Sequence, residues 1–145
     1  MNPEFLTEEQ VTPESLSEIL QRAYIKHEID EDGDLTITLD GTHSLLSIEA
    51  NRKLLKYRLS FSVGPGTEEE YNAYANRLNE RYIFAGFHVA RGGVVGEYYL
   101  PYEGGVMPYH IVFCLRKMHS LVPDVVTAGD EDGLLDRSEE THLDA

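Results

Sequence analysis

Five acidic side chains crowd one short stretch: Glu28, Asp30, Glu31, Asp32 and Asp34 around Gly33. Carboxylates at alternate positions with a glycine at the bend are what a calcium loop is made of. The register does not complete one. With Glu28 as first ligand, Leu39 falls where the bidentate glutamate must stand, and a strand-like run follows where a helix is required. The same residues suit a tight turn, because glycine takes positive φ and aspartate bonds its own backbone. Asp130-Glu131-Asp132-Gly133 fails as a calcium loop in the same way. The six histidines, His27, His43, His88, His110, His119 and His142, are scattered, and no pair has the four-residue helical spacing of a chelating face. They read as ordinary surface or boundary histidines. His110 and His119 share one expected helix, but their separation turns them to opposite sides. Cys114 is the only cysteine, which excludes an internal disulfide and a cysteine-built zinc site. Between Phe113 and Leu115 it reads as a small hydrophobe, with Arg116 and Lys117 turned away from any thiolate. No glycine-framed serine marks a nucleophile elbow. Arg91-Gly92-Gly93 is too short for a phosphate loop and joins two strands instead of opening a helix. These residues specify no catalytic set, no metal site and no cofactor.

The tyrosines carry more information. Of nine, Tyr98, Tyr99, Tyr102 and Tyr109 gather around the last expected strand and the start of the last helix. An exposed tyrosine surface on a sheet is a common protein-contact surface, since the ring is apolar and the hydroxyl tolerates water. These four are the expected protein-binding residues. The competing reading is that the rings complete the core and its rim. Tyr98 and Tyr99 are adjacent, so a strand sends them to opposite faces.

Those side chains need elements to hold them. Thr12 followed by Pro13 is an N-cap and a first helical position, and Leu16, Ile19, Leu20 and Ala23 recur at helical spacing, which predicts a helix over 13–26. Runs at 35–39, 44–49 and 54–63 have strand character, the third alternating Tyr57, Leu59, Phe61 and Val63 with polar residues. Asp40-Gly41 between the first two is a hairpin signal. Thr67 and Glu70 form an expected capping box for a helix over 68–83, with Tyr71, Tyr74, Ala75, Leu78 and Tyr82 on one face. Strands are expected at 86–90 and 94–102, then a helix over 107–122 whose Pro108 is tolerated in the first turn. The order is helix, three-strand meander, helix, two-strand hairpin, helix. Antiparallel strands with helices collected on one face make an α+β domain. The uncovered sheet face then needs polar side chains, a partner or a second copy, and on that ground a homodimer is expected.

The chain has 145 residues with 26 acidic and 12 basic, a formal net charge of −14. That length suits one domain. The charge disfavours nucleic acid and anionic membranes, whose phosphates need a basic face. It favours a basic protein partner through steering. Residues 128–145 hold seven acidic residues against Arg137, with little apolar surface to offset the entropy of ordering. The expected organisation is a flexible acidic segment over 1–11, a single domain over 12–126 and a disordered acidic tail over 127–145. No apolar run is long enough for a membrane span and no secretory signal opens the chain, so a cytoplasmic location is expected.

The order of elements, the acidic-glycine turn after the first helix, Asn76 and Asn79 in the second, and Gly104-Gly105-Val106 before the third resemble the YbjN family of bacterial domains over about residues 12–126. That family is described as sensory transduction regulators, with a fold similar to type III secretion chaperones. The resemblance implies a compact domain that works by binding other proteins, homodimeric in form, and it supplies no catalytic residues. The Arg91-Gly92-Gly93 turn departs from the more acidic turn such a domain is expected to carry. The function expected is a non-enzymatic adaptor or regulator that binds a protein, basic or partly unfolded at the contact. The alternative is a small-ligand-binding α+β domain with its pocket between the third helix and the sheet.

Overall fold

Thr12 begins the fold as its type predicts. Its hydroxyl accepts the Ser15 N–H at 3.0 Å, while the Ser15 hydroxyl accepts the Thr12 N–H at 3.0 Å. Helix α1 follows over Pro13–Arg22, with Leu16 and Leu20 fully buried. The computed structural model describes residues 5–90, 93–127, 130 and 133–135. The remaining elements are β1 (Lys26–Ile29), β2 (Leu35–Leu39), β3 (Thr42–Glu49), β4 (Leu54–Ser62), α2 (Glu68–Arg81), β5 (Gly86–Ala90), β6 (Gly93–Pro101), α3 (Pro108–Ser120) and α4 (Val122–Val125).

The strands form one six-stranded antiparallel sheet in the order β1-β2-β3-β4-β6-β5. The sequence reading missed β1, which it absorbed into the first helix and the turn after it. That helix stops at Arg22 because Tyr24 takes a left-handed φ of 59° and the Ile25 N–H reaches back to the Leu20 carbonyl at 2.9 Å. Lys26–Ile29 then runs back along β2, pairing Ile29 with Leu35 and Lys26 with Thr38. Asp40-Gly41 makes the expected tight turn, with φ of 54° and 78°, both on the positive side that a two-residue hairpin requires.

Alternation along the strands divides the sheet into two unlike faces. Leu35, Ile37, Leu46, Leu55, Tyr57 and Leu59 are buried under the helices. The intervening positions pair Leu45 with Arg58, Ser47 with Lys56 and Lys56 with Tyr99. Among the described residues no helix covers that side. Gly96 on β6 exists where it does because the Phe87 ring lies against it: an added Cβ would sit 2.8 Å from that ring.

Helix α3 is fastened to the sheet near both ends. The buried Tyr57 hydroxyl donates to the Ile111 carbonyl at 2.9 Å. His119 bonds Thr42 Oγ1 through Nδ1 at 2.7 Å and Ser44 Oγ through Nε2 at 2.7 Å. Thr42 already donates its hydroxyl proton to the Leu39 carbonyl at 2.9 Å, so it must accept from His119. The neutral tautomer with the proton on Nδ1 follows, and Nε2 accepts from Ser44.

The two edges of the sheet differ. The Phe87 N–H and carbonyl on β5 are both bonded by the Asn79 carboxamide, at 2.6 and 2.9 Å, so α2 closes this edge with one side chain. Along β1 the Ser17 hydroxyl of α1 meets the His27 ring at 2.7 Å, a bond to a side chain that leaves the edge backbone unengaged by a helix side chain among the described residues.

Residues 5–11, expected outside the folded body, pack on it. Leu6 and Val106 exchange two backbone hydrogen bonds of 2.8 Å, and Val11 is buried. Apolar residues at Leu6 and Val11 outweigh the acidic composition that suggested a free segment. Within the expected tail, Leu135 bridges Val63, and Asp130 accepts the Leu134 N–H at 2.8 Å. The rest of 136–145, the turn residues Arg91 and Gly92, and His142 lie outside the described residues.

Candidate partner-binding surface

The four tyrosines do not share one surface. Tyr98 lies on the helix side of the sheet, paired across from Tyr57 and stacked on Phe84 at 4.2 Å between ring centroids. Tyr99 takes the open face, 37% exposed, its hydroxyl donating to Glu97 at 3.1 Å. Tyr102, expected on the contact surface, is buried at 4% exposure instead. It follows β6 and its N–H is held by the Lys53 carbonyl at 2.9 Å, so the ring turns inward as the strand ends. Tyr109 stands on α3 at 67% exposure, away from the open sheet face. Strand alternation predicted the split between Tyr98 and Tyr99. Tyr109 falls on the expected last helix, and what spacing did not show was that it stands beside a groove between α1 and α3.

Tyr109 belongs to an apolar region that sequence reasoning missed. Its ring stacks on Phe113, one turn later, at 6.0 Å and 24°, and Phe113 is itself 49% exposed. Beside them, Ile19, Ala23, Pro108 and Val112 line a groove of about 300 Å³ between α1 and α3. A second hollow of about 220 Å³ shares Ile19, Arg22 and Pro108 with it and extends to Phe5 and Leu6. Tyr24, almost wholly exposed, stands just after α1. The signal was present in the sequence: Phe113 and Tyr109 are four apart and lie off the buried stripe of Ile111, Leu115 and Met118.

On the α3 side of this groove the charges run against those of the whole molecule. Helix α3 carries Arg116 and Lys117 and no acidic residue. Arg116 reaches across to the Ala23 carbonyl at 3.3 Å, and Arg22 is paired with Glu18 at 3.0 Å. Helix α2 is the opposite, with Glu68, Glu69 and Glu70 in its first turn.

The open sheet face mixes polar side chains with Leu45, Val95 and Tyr99. It holds a depression of about 500 Å³ lined by Thr36, His43, Leu45, Arg58 and Ser60 with Ser44. Arg58 approaches Glu97 at 3.8 Å, and Thr38 bonds His43 at 3.0 Å. The pocket imagined between the third helix and the sheet is instead filled, by Tyr57, Ile111, Leu115 and Met118.

The remaining candidates resolve into structure. Asp30, Asp32 and Asp34 lie close together, but Asp30 accepts the N–H groups of Asp32 and Asp34 at 2.9 and 3.0 Å, the turn chemistry the sequence suggested. Cys114 is buried beside Tyr98, and loss of water pushes its thiol above the ordinary value. His119 is not a boundary histidine but a buried one, and desolvation holds its pKa down at about 4. Arg81, Tyr82 and Asp124 form a small cluster joining α2 to α4. Bonds from Arg81 and Tyr82 hold the Asp124 carboxyl down at about 2, and burial with Asp124 raises Tyr82 to about 12. Among the described residues no helix is long and apolar enough to cross a membrane.

Residues 12–124 match the model of the YbjN family, described as "Putative bacterial sensory transduction regulator". The chain belongs to the YbjN family. No match was found among curated proteins. Two solved structures share the fold of this YbjN-family chain. One is YbjN, "a putative transcription regulator from E. coli", with a TM-score of 0.70 and 14% identity, covering 87% of this chain and 96% of that one. The other is from the HopA1-SchA chaperone-effector complex, with a TM-score of 0.54 and 13% identity over 74% of this chain and 84% of that one. Both likenesses concern the fold, a mixed α+β domain with an antiparallel sheet, as the sequence reading expected.

Proposed function

We propose that this YbjN-family domain is a non-enzymatic bacterial regulator or adaptor that acts in the cytoplasm by binding a protein partner. The observation that carries the reading is the exposed Tyr109 and Phe113 pair beside the α1–α3 groove, with α3 fastened to the sheet at both ends. Rigidly held aromatic rings at the surface are typical anchors of protein contacts. The likeness to a component of a chaperone-effector complex supports the same class of function. Of the four tyrosines first proposed, Tyr109 and Tyr99 offer ring surface to a partner, while Tyr98 and Tyr102 support the layers beneath. The net charge of −14 steers partners whose surface is basic overall. Self-association would use the open sheet face, where Leu45 and Tyr99 stand among Thr36, Arg58 and Ser60. Regulation of sensory transduction is the setting the family description suggests.

The test is capture from a lysate of the source bacterium on the immobilised chain, with salt washes and mass spectrometry. A protein retained in stoichiometric amount supports the reading. Retention of none contradicts it and turns attention to a small ligand in the open-face depression, where Arg58, His43 and Ser60 converge. Native mass spectrometry of freshly purified protein reads that alternative directly.

A further inference from the structure

We infer that the α1–α3 groove is the docking site, and that it takes an apolar segment carrying a carboxylate, presented by another protein. The inference rests on the protein-binding reading above and names its site and the chemistry of the segment.

Three observations lead there. The groove floor is apolar, made by Ile19, Ala23, Pro108 and Val112, and its rim adds the half-exposed Phe113 and the more exposed Tyr109. Contiguous apolar surface of this kind is unusual on a chain with so large an excess of charge. Second, the groove continues past Arg22 into a hollow of about 220 Å³ lined by Phe5 and Leu6 with the polar Gln10, Ser15 and Glu18, so it has room for more than a single side chain.

The third observation is the sign of the nearby charge. Arg116 crosses from α3 to the Ala23 carbonyl and so stands at the rim, held by a single bond of 3.3 Å. Its guanidinium keeps further donors free in the planar fork that suits a carboxylate. Lys117 follows it and α3 contributes no acid, while on α1 Glu18, at the far end of the groove, is already paired with Arg22 at 3.0 Å. The acids elsewhere act over a distance that physiological salt screens within about 8 Å, so at contact the local arginine decides. A partner therefore needs apolar side chains at helical or alternate spacing for the floor and an aspartate or glutamate opposite Arg116. This reverses, for the docking segment alone, the basic character that the whole-molecule charge suggests.

The experiment is selection of a random phage-displayed peptide library on the full chain, followed by affinity measurement with synthesised peptides from the enriched clones. Phe113→Ala and Arg116→Glu change exposed side chains, and thermal melts confirm that the variants fold. The expected clones carry spaced apolar residues and an excess of Asp or Glu over the starting library. Their peptides bind Phe113→Ala at least about ten-fold more weakly, as loss of an aromatic anchor does. Selection repeated on Arg116→Glu shifts the preference toward Lys and Arg. The inference is overturned by the absence of enrichment, by enriched peptides with net positive charge, or by peptides indifferent to Phe113→Ala. It is overturned also if light scattering shows a dimer that Phe113→Ala converts to monomer, because the groove is then filled by a second copy. A protein retained from lysate by Phe113→Ala as well as by the wild type moves the site while leaving the protein-binding function standing.

Discussion

The two outer surfaces of this domain are built from the same sheet and differ in what stands over it. On one side the strands present Thr36, Lys56, Arg58, Ser60 and Tyr99 to water, and charged neighbours answer one another, as Arg58 does Glu97. On the other, α1 and α3 cover the apolar rows but do not close over their own outer apolar residues, leaving Tyr109 and Phe113 exposed beside a groove. On the open sheet face the apolar Leu45 and Tyr99 stand singly among polar neighbours. An apolar surface held rigidly beside cationic side chains is poised to gain from a partner. On the proposed reading, this difference puts the partner contact on the helix layer although tyrosines occur on both sides.

The largest effect expected tests how α3 is held in place to form that groove. His119 is buried neutral between Thr42 and Ser44, so folding holds its pKa at about 4 against an ordinary 6.5. Burial is the main cause. The Leu39 carbonyl and the Asp40 charge oppose it, and His43 adds to it. The unfolded chain therefore binds more protons between these values, and stability falls as pH drops from about 6.5 toward 4. Urea titrations should show a loss of about 3 kcal/mol across that window, and His119→Gln should flatten this part of the profile. A profile that is the same in the variant would show that α3 is not held this way.

Next in size is removal of both rings on the groove side. Tyr109→Ala with Phe113→Ala should weaken partner binding by about 30-fold or more, the cost of losing two aromatic anchors, with little change in thermal stability. Isothermal titration with the captured partner reads it. Asn79→Ala leaves the Phe87 N–H and carbonyl without their side-chain partner. It should cost about 1–2 kcal/mol in denaturant titrations and increase concentration-dependent aggregation through the reopened β5 edge. The smallest effect is expected on the open face: Tyr99→Ala should alter partner affinity by less than about two-fold, because a half-exposed rim ring with a solvated hydroxyl contributes little. A large effect at Tyr99 paired with none at Phe113 would invert the comparison.

Much of the fold was legible because local chemistry and pattern agreed. Thr12-Pro13, the Thr67 and Glu70 box, Asp40-Gly41 and the alternation through β4 each specify an element without help from distant residues. Lys26–Ile29 was illegible because four residues with one strong apolar side chain show no usable period, and Tyr24 ends α1 without a glycine to announce it. The site was legible only in part. Tyr109 was singled out for its type and placed on the last helix, yet the groove beside it depends on how α1 and α3 meet. Tyr102 was misplaced because burial at a strand end depends on the chain that folds over it, here the Lys53 turn. His119 and Asn79 owe their roles to partners far away in sequence, Thr42 and Ser44 for one and Phe87 for the other.

The most direct test of the central claim is chemical-shift mapping of the full chain, isotopically labelled, with an enriched peptide or the docking segment of the captured partner. The account predicts perturbed signals at Ile19, Ala23, Val112 and Phe113 and quiet ones at Lys56, Ser60 and Tyr99. Perturbations confined to the open face, with the α1–α3 groove unchanged, would contradict it.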